Sequence, residues 1–162
     1  MTLNRLLVGA MLAAACAGQS GPGGTPTPVF DHAILPGKRV GPVSLGMTAA
    51  DLTHVAGRPI AVVSGDGEFT YEYDGYRAVI VERTQRVSSI IVTSGKYALL
   101  SGLSVGDADG AMNEQLGAPC EPDPLARREV SRLRYQFRGL NVMVDTQGVV
   151  TAFEVVSPKG CL

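Results

Sequence analysis

The composition of the chain lacks features that several functional classes require. It contains no tryptophan, and aromatic residues make up 6% of its 162 residues. Its 14 Lys and Arg residues are balanced by 15 Asp and Glu residues, which gives a net charge of −1. Because nucleic-acid-binding domains carry a basic surplus, this balance predicts no nucleic-acid partner.

Residues suited to catalysis or metal binding are also scarce. There are two histidines, His32 and His54, and neither stands near a serine or cysteine in a nucleophile context. The sequence has no phosphate-binding loop and no His-x-x-Glu pattern. Cys120 and Cys161 have no histidine nearby to complete a zinc site. We therefore expect no enzyme, no cofactor and no metal.

No apolar run is long enough to cross a bilayer. The run Leu6–Ala15 has ten residues, whereas a spanning helix needs about 20. Ten residues after a single positive charge suit the core of a signal peptide. We therefore predict a signal peptide over residues 1–15.

The end of this run indicates the kind of export. The string Leu12-Ala13-Ala14-Ala15-Cys16 resembles a bacterial lipobox, in which the cysteine becomes the first mature residue and takes acyl chains. The resemblance implies that Cys16 is lipidated. Ordinary signal-peptidase cleavage after Ala15 or Ala17 is the alternative. We expect a cell-envelope protein, on the outer membrane if the host has two membranes.

The segment that follows Cys16 predicts a tether. Residues 16–28 are rich in glycine and proline and have no charge and no large apolar side chain. Such a segment buries too little surface to fold. The folded domain is therefore predicted at 29–162.

Two cysteines remain in that domain. An even number in an oxidising compartment predicts a disulfide between Cys120 and Cys161. It would pin the C-terminus to the loop after the second predicted helix. Two free thiols are the alternative.

The domain is built as a repeat. The glycines and the proline at its predicted turns recur 60 positions later: Gly46, Gly57 and Pro59 recur as Gly106, Gly117 and Pro119. The alternating segment 69–75 matches 133–139, and 87–92 matches 150–155. Self-similarity of this kind predicts a duplication, with repeat one at about 40–100 and repeat two at about 101–157.

Each repeat predicts one helix followed by three strands. Thr48 is a good N-cap with Asp51 in the capping-box position, and Gly57 suits the helix end. The second helix is predicted from about Ala108 to Leu116, capped by Asp107 or Asp109. Alternation of period two predicts the strands, with tight turns at Asp74-Gly75 and Arg138-Gly139. We expect an α+β fold in which two tandem helix–three-strand repeats form one antiparallel sheet of six to eight strands, with both helices packed on one face.

This pattern resembles a known family. Repeat one is predicted as a strand ending in Leu45-Gly46-Met47-Thr48, a short helix, Gly-x-Pro and a three-stranded meander. Repeat two follows the same order, with Val105-Gly106-Asp107-Ala108 and therefore without the Met-Thr pair, so the pattern covers residues 40–157. The chain is therefore similar to the β-lactamase inhibitor protein (BLIP) family and, more remotely, to BamE/SmpA-type outer-membrane lipoproteins. The resemblance implies an exported protein that binds through an open, concave sheet. The inhibitor family inserts an aspartate and a neighbouring aromatic into its target. The matching positions here are Asp74, Tyr73 and Tyr76, although an ordinary turn is the alternative.

The open face of the sheet is the second candidate surface. Residues 64–76 carry a charge of −4 and residues 121–138 a charge of +2, which predicts an acidic and a basic end. An apolar strip between them is predicted from Val79, Val81, Ile91 and Met143. At the basic end, Arg132, Arg134 and Arg138 are expected either to bind an anionic group or to pair with neighbouring acids.

These features predict a non-catalytic protein-binding module of the cell envelope. The charges would orient a protein partner on the apolar strip. A proteinaceous inhibitor of a periplasmic or secreted hydrolase and a purely structural envelope lipoprotein are the alternatives.

Overall fold

The computed structural model describes residues 31–122, 130–135 and 138–160. The predicted signal peptide, the lipidation site Cys16, the tether 16–28 and the predicted disulfide partner Cys161 lie outside the described residues. The Cys120–Cys161 disulfide therefore stays a prediction.

The first helix, α1 (Ala49–Ala56), begins and ends at the predicted residues. Thr48 Oγ1 accepts a hydrogen bond from the Asp51 amide at 3.2 Å, and Asp51 Oδ2 accepts one from the Thr48 amide at 3.4 Å. This reciprocal pair is the predicted capping box. Gly57 ends the helix with a φ of 80°. The helix buries Leu52 against the core.

The second helix, α2 (Gly110–Leu116), starts two residues later than predicted. Asp109 directly precedes it, whereas the Asp107 carboxylate accepts a hydrogen bond from the Ser104 amide at 2.7 Å. Asp107 therefore holds the preceding turn and does not cap the helix. This local bond competes with helix extension, as is typical of aspartate.

Twelve strands occur within the part of the chain that the structure describes. In chain order they are β1 (Ala33–Leu35), β2 (Arg39–Val40), β3 (Val43–Ser44), β4 (Ala61–Gly65), β5 (Glu68–Tyr73), β6 (Tyr76–Val81), β7 (Arg86–Val92), β8 (Ala98–Leu99), β9 (Glu121–Pro122), β10 (Val130–Tyr135), β11 (Leu140–Asp145) and β12 (Val150–Val156).

Eight of these strands form one antiparallel sheet in the order β4-β5-β6-β7-β12-β11-β10-β9. Each helix is followed by four of them, one more than predicted. The other four strands form a small sheet in the order β3-β2-β1-β8, where β1 and β8 run parallel. The chain is thus an α+β protein made mostly of strands in two sheets. The expectation of one sheet was incomplete, because these strands are too short to show a period in the sequence.

The large sheet has one buried face and one open face. Tyr76, Ala78 and Ile80 of β6 join the core together with Leu52 of α1 and Met112 of α2. The remaining buried members of the sheet's inner face come from β5, β7, β10, β11 and β12: Tyr73, Val87, Ile90, Val92, Tyr135, Leu140, Val142, Val144, Val150, Phe153 and Val155. The opposite face carries the polar half of the alternation.

Two β-bulges change the predicted alternation. The register shifts between Val79 and Ile80, and again between Met143 and Val144. The extra residues are Ser88 and Thr151, and each hydroxyl donates to the carbonyl across the strand at 3.2 Å. Simple alternation would put Ser88 on the same face as Ile90 and Val92, and Thr151 on the same face as Phe153 and Val155. That expectation is wrong at Ser88 and Thr151. Val87 and Val150 are buried in their place, because an inserted residue reverses the phase of the strand beyond it.

Candidate functional site

The open face is centred on the pairing of β7 with β12. Ile91 of β7 lies opposite Arg77 on one side and Glu154 on the other, and Glu154 lies opposite Asn141. One row over, Val79 lies opposite Ser89, which lies opposite Val156. An apolar residue thus stands beside a polar one in both rows.

A shallow cleft of about 590 Å³ follows these two rows. Val79, Ile91 and Val156 give it an apolar floor, while Glu68 and Lys159 place opposite charges on its lining. Val79 and Ser89 are each 8% exposed, whereas Ile91 and Val156 are half-buried, so the floor is only partly shielded from solvent. We call this feature the open-face cleft.

Asn141 and Glu154 form the polar part of this lining. The Asn141 amide Nδ2 donates to Glu154 Oε2 at 2.9 Å. The amide Oδ1 of Asn141 is buried, and no group within the described residues donates to it. A buried acceptor without a donor costs about 1–3 kcal/mol. The cleft therefore holds a polar group whose burial works against stability.

The predicted apolar strip is only partly assembled. Val79 and Ile91 line the open-face cleft, but Val81 and Met143 do not. Val81 lies opposite Arg86 towards the end of β6, and Met143 lies opposite Ala152. Val156 takes a place in the cleft instead, since β12 continues the alternation two residues beyond Glu154.

The predicted arginine cluster falls at the far end of the sheet. In the β10–β11 register Arg132 is opposite Met143 and Arg134 is opposite Asn141. The side chains of these two arginines lie outside the described part of the chain. Arg138 is exposed just before β11. The choice between an anion site and ordinary charge pairing stays open.

The hairpin predicted to carry an inhibitory aspartate has an exposed carboxylate at its tip and buried aromatic side chains beneath it. Tyr73 pairs with Tyr76 around Asp74 and Gly75, as predicted, and Gly75 has a φ of 88°. The Asp74 carboxylate is 80% exposed and forms an ion pair with Lys96. Tyr73 and Tyr76 are only 9% and 6% exposed, so they support the hairpin from below and do not flank Asp74 at the surface.

A pocket of about 200 Å³ lies beside this hairpin. The Tyr73 and Tyr76 rings stack with centroids 5.0 Å apart, and Tyr97 meets Tyr76 edge-on at 5.6 Å. His32 meets the Tyr97 ring at 5.3 Å. Burial raises the pKa of Tyr73, Tyr76 and Tyr97, so their phenols stay neutral. We call this feature the hairpin pocket.

No family model matches this sequence, and no curated protein matches it either. Solved structures are similar in fold. An extracellular protein containing a SCP domain from Bacillus anthracis has a TM-score of 0.52 over 70% of this chain at 8% identity, and the match covers 44% of that protein's chain. A DUF4309 family protein (YjgB) from Bacillus subtilis has a TM-score of 0.50 at 15% identity, covering 68% of this chain and 78% of its own. At these identities the similarity shows the fold alone. Neither is a BLIP or BamE-type protein, so that resemblance stays a prediction.

The described residues contain neither a metal-binding cluster nor a membrane-spanning helix. No group of three or more His, Cys, Asp or Glu side chains there is arranged to hold a metal ion. No helix among them has the length and apolar character needed to cross a membrane.

The ion pair between Asp31 and Arg39 borders the hairpin pocket. Arg39 Nη1 donates to Asp31 Oδ1 at 2.8 Å and Nη2 donates to Oδ2 at 2.7 Å. This bidentate pair of hydrogen bonds lowers the pKa of Asp31. The ionised carboxylate is therefore favoured in the folded chain.

That pKa shift predicts a pH-dependent stability. Because the folded pKa is lowered, the stabilisation is complete above the ordinary aspartate pKa of about 4 and is lost as the pH falls through the folded value. Asp31→Asn is expected to lower the melting temperature at pH 7, and the difference from wild type should shrink in acid. Thermal unfolding at pH 7, 4 and 2.5 measures this. Glu82→Gln, in the exposed turn after β6 and without an ion pair among the described residues, is the control. A difference that stays constant down to pH 2.5 contradicts the assignment.

Several residues of both sites carried no sequence signal. His32, Lys96 and Tyr97 reach the hairpin pocket because β1 pairs in parallel with β8. Ser157 and Lys159 reach the open-face cleft because the chain continues past β12. Val156 was the one member that the alternation of β12 could have revealed.

Proposed function

We propose that this protein is a non-catalytic binding module of the cell envelope, exported and lipid-anchored at Cys16, which binds a segment of a partner protein in the open-face cleft. The observation that carries the proposal is the cleft itself, where Val79, Ile91 and Val156 form an apolar floor and Glu68 and Lys159 add opposite charges to the lining. An apolar floor binds side chains by excluding water, and opposite charges fix their orientation.

The position of the cleft supports a binding role. We interpret the chain as a duplicated helix–strand unit whose two halves meet where β7 pairs with β12. Equivalent hydrogen bonds support this interpretation: the Gly46 amide donates to Val87 and the Gly106 amide donates to Val150, both at 2.8 Å. Ile91 and Ser89 come from one half, while Glu154 and Val156 come from the other. The cleft is therefore a site that neither half forms alone.

A photo-crosslinking experiment tests the proposal. The full-length protein carries a photo-reactive residue at Thr70, which lies opposite Val79, and is expressed in its host. We expect a discrete crosslinked partner whose yield falls at least tenfold in Ile91→Glu, because the new carboxylate would be desolvated on the apolar floor. Thr84→Glu adds the same charge at an exposed turn and should crosslink as wild type does. Equal yields in all three proteins would overturn the proposal.

A second candidate function rests on Asp74. Its 80% exposed carboxylate at a tight turn has the accessibility that insertion into the cleft of a hydrolase requires. Asp74→Asn keeps a residue suited to the turn but removes the charge. Loss of a captured hydrolase in Asp74→Asn, with capture intact in Ile91→Glu, would favour an inhibitor. A purely structural role predicts that neither variant changes any crosslink.

A further inference from the structure

Strand β4 lies at one edge of the large sheet. No strand among the described residues pairs with the outer side of β4, which therefore ends the large sheet. The opposite end of the sheet is β9, which has only two residues, one of them proline. Short length and proline are common ways to block an edge. The sheet thus has one blocked edge and one open edge.

The turn after β4 shows which backbone groups are free. Gly65 lies opposite Glu68 around the two-residue turn Asp66-Gly67, where φ is 51° and 77°. The closing pair of such a hairpin exchanges both hydrogen bonds, and bonded pairs then alternate along the strand. Gly65, Val63 and Ala61 therefore bond to β5. The N–H and C=O groups of Val62 and Ser64 point away from the sheet.

The side chains along this edge are apolar. Ile60 is 74% exposed, Val62 52% and Val63 56%. No charged residue occurs between Arg58 and Asp66. Natural edge strands usually carry a lysine or another charge that prevents pairing. A strand with free backbone groups and exposed valines is instead suited to receiving another strand.

We propose that this edge binds a second copy of the same chain, with the two β4 strands antiparallel about a two-fold axis at Val62. In that register Val62 faces Val62 of the second copy, and each exchanges backbone hydrogen bonds with the other. Ser64 faces Ile60, whose N–H already donates to the Glu72 carbonyl at 2.8 Å, so the backbone hydrogen bonds of the contact are centred on the Val62 pair. Ala61 faces Val63. A two-fold contact of this kind is self-complementary, as is usual in dimers of identical chains.

Charge complementarity argues for a second copy over an unrelated strand. Arg58 lies just before β4 and Asp66 just after it, so the antiparallel arrangement brings Arg58 of each copy towards Asp66 of the other. Opposite charges at these positions favour the antiparallel, two-fold arrangement and oppose a parallel one. The contact joins the sheets edge to edge, so the open-face cleft of each copy stays accessible. The dimer and the proposed function are therefore independent, and either can fail alone.

Sedimentation equilibrium of the purified full-length protein in density-matched detergent tests the dimer. We expect wild type to form a dimer and Val62→Lys to raise its dissociation constant at least tenfold, because the added charge blocks the edge. Leu100→Lys makes the same kind of change at an 81% exposed apolar residue that directly follows β8 of the small sheet, and should behave as wild type does. A monomeric wild type, or a dimer that Val62→Lys leaves unchanged, would overturn the proposal.

A charge exchange then tests the register. Arg58→Asp and Asp66→Arg each place like charges together in a homodimer, and each should weaken it. Mixing the two variants restores opposite charges at both ends of the contact, so the mixture should form a heterodimer tighter than either homodimer. No preference for the heterodimer would contradict the register centred on Val62. Pairing of this edge with a different protein in the crosslinked host would contradict the second copy as its occupant.

Discussion

Replacing Gly139 by alanine is expected to lower the free energy of unfolding by about 3–5 kcal/mol, since strain in the left-handed region adds to overpacking. Gly139 has a φ of 71°. A Cβ atom there would lie 2.4 Å from Gly37 Cα and 2.5 Å from the Val156 carbonyl oxygen. Both obstacles are backbone atoms, so no side chain can move aside to relieve the contact.

The same residue connects the two sheets, which makes a compensating shift costly. The Gly139 carbonyl accepts hydrogen bonds from the Gly37 amide and from the Val156 amide, both at 3.0 Å. Gly37 lies in the turn between β1 and β2, while Val156 ends β12. A shift of either neighbour would stretch one of these bonds. We therefore expect the small sheet to loosen in Gly139→Ala.

Gly46→Ala is the matched control for that measurement. Gly46 has a similar φ of 79°, but its Cβ would meet nothing within 4 Å. Gly46→Ala should cost about 1–2 kcal/mol, which is the cost of the positive φ alone. Denaturant unfolding of the two variants gives the difference. Equal losses would mean that the approach of Gly139 to Gly37 contributes nothing.

The elements that could be predicted are those whose cause is local. The first helix follows from Thr48, Asp51 and Gly57, because a capping box and a glycine stop act within one turn. The turn at Asp74-Gly75 follows in the same way. The small sheet could not be predicted, since its strands are two or three residues long. Their hydrogen bonds join residues that are distant in sequence.

The two β-bulges are the second feature that the sequence could not predict. An alternating pattern assigns faces correctly until one residue is inserted, and every later residue then changes face. Ser88 and Thr151 are such insertions, and nothing in the local pattern distinguishes a bulged serine or threonine from an inward one. The errors at these two positions are equivalent, 63 residues apart. A duplicated bulge is what a duplicated unit predicts.

The two candidate sites differ in the same way, in how much of each could be predicted from the sequence. Val79 and Ile91 could be placed on the open face because the strands that carry them are long and regular on that side of the bulge. The hairpin pocket is assembled from His32, Lys96 and Tyr97, whose positions depend on the pairing of β1 with β8. The sequence therefore predicts the faces of the large sheet more completely than the surroundings of Asp74.

The neighbouring residues Ile90 and Ile91 separate stability from binding. Ile90 is fully buried in the core between Ala78 and Val155, while Ile91 is half-buried on the open face between Arg77 and Glu154. Ile90→Ala is expected to cost about 2–5 kcal/mol of unfolding free energy, because it removes apolar contacts and leaves a cavity. Ile91→Ala should cost less than about 1.5 kcal/mol, since solvent already reaches the side chain and fills the space.

Denaturant unfolding of both variants measures this contrast, and photo-crosslinking from Thr70 measures partner capture in Ile91→Ala. We expect Ile91→Ala to keep its unfolding midpoint near wild type and to lose capture, because it shortens the apolar floor of the cleft. We expect Ile90→Ala to unfold early in one transition, since its strand pairs with β6 on one side and β12 on the other. Equal destabilisation by the two variants would mean that the open face is as closely packed as the core. Full capture by a stable Ile91→Ala would mean that the apolar floor of the open-face cleft does not hold the partner.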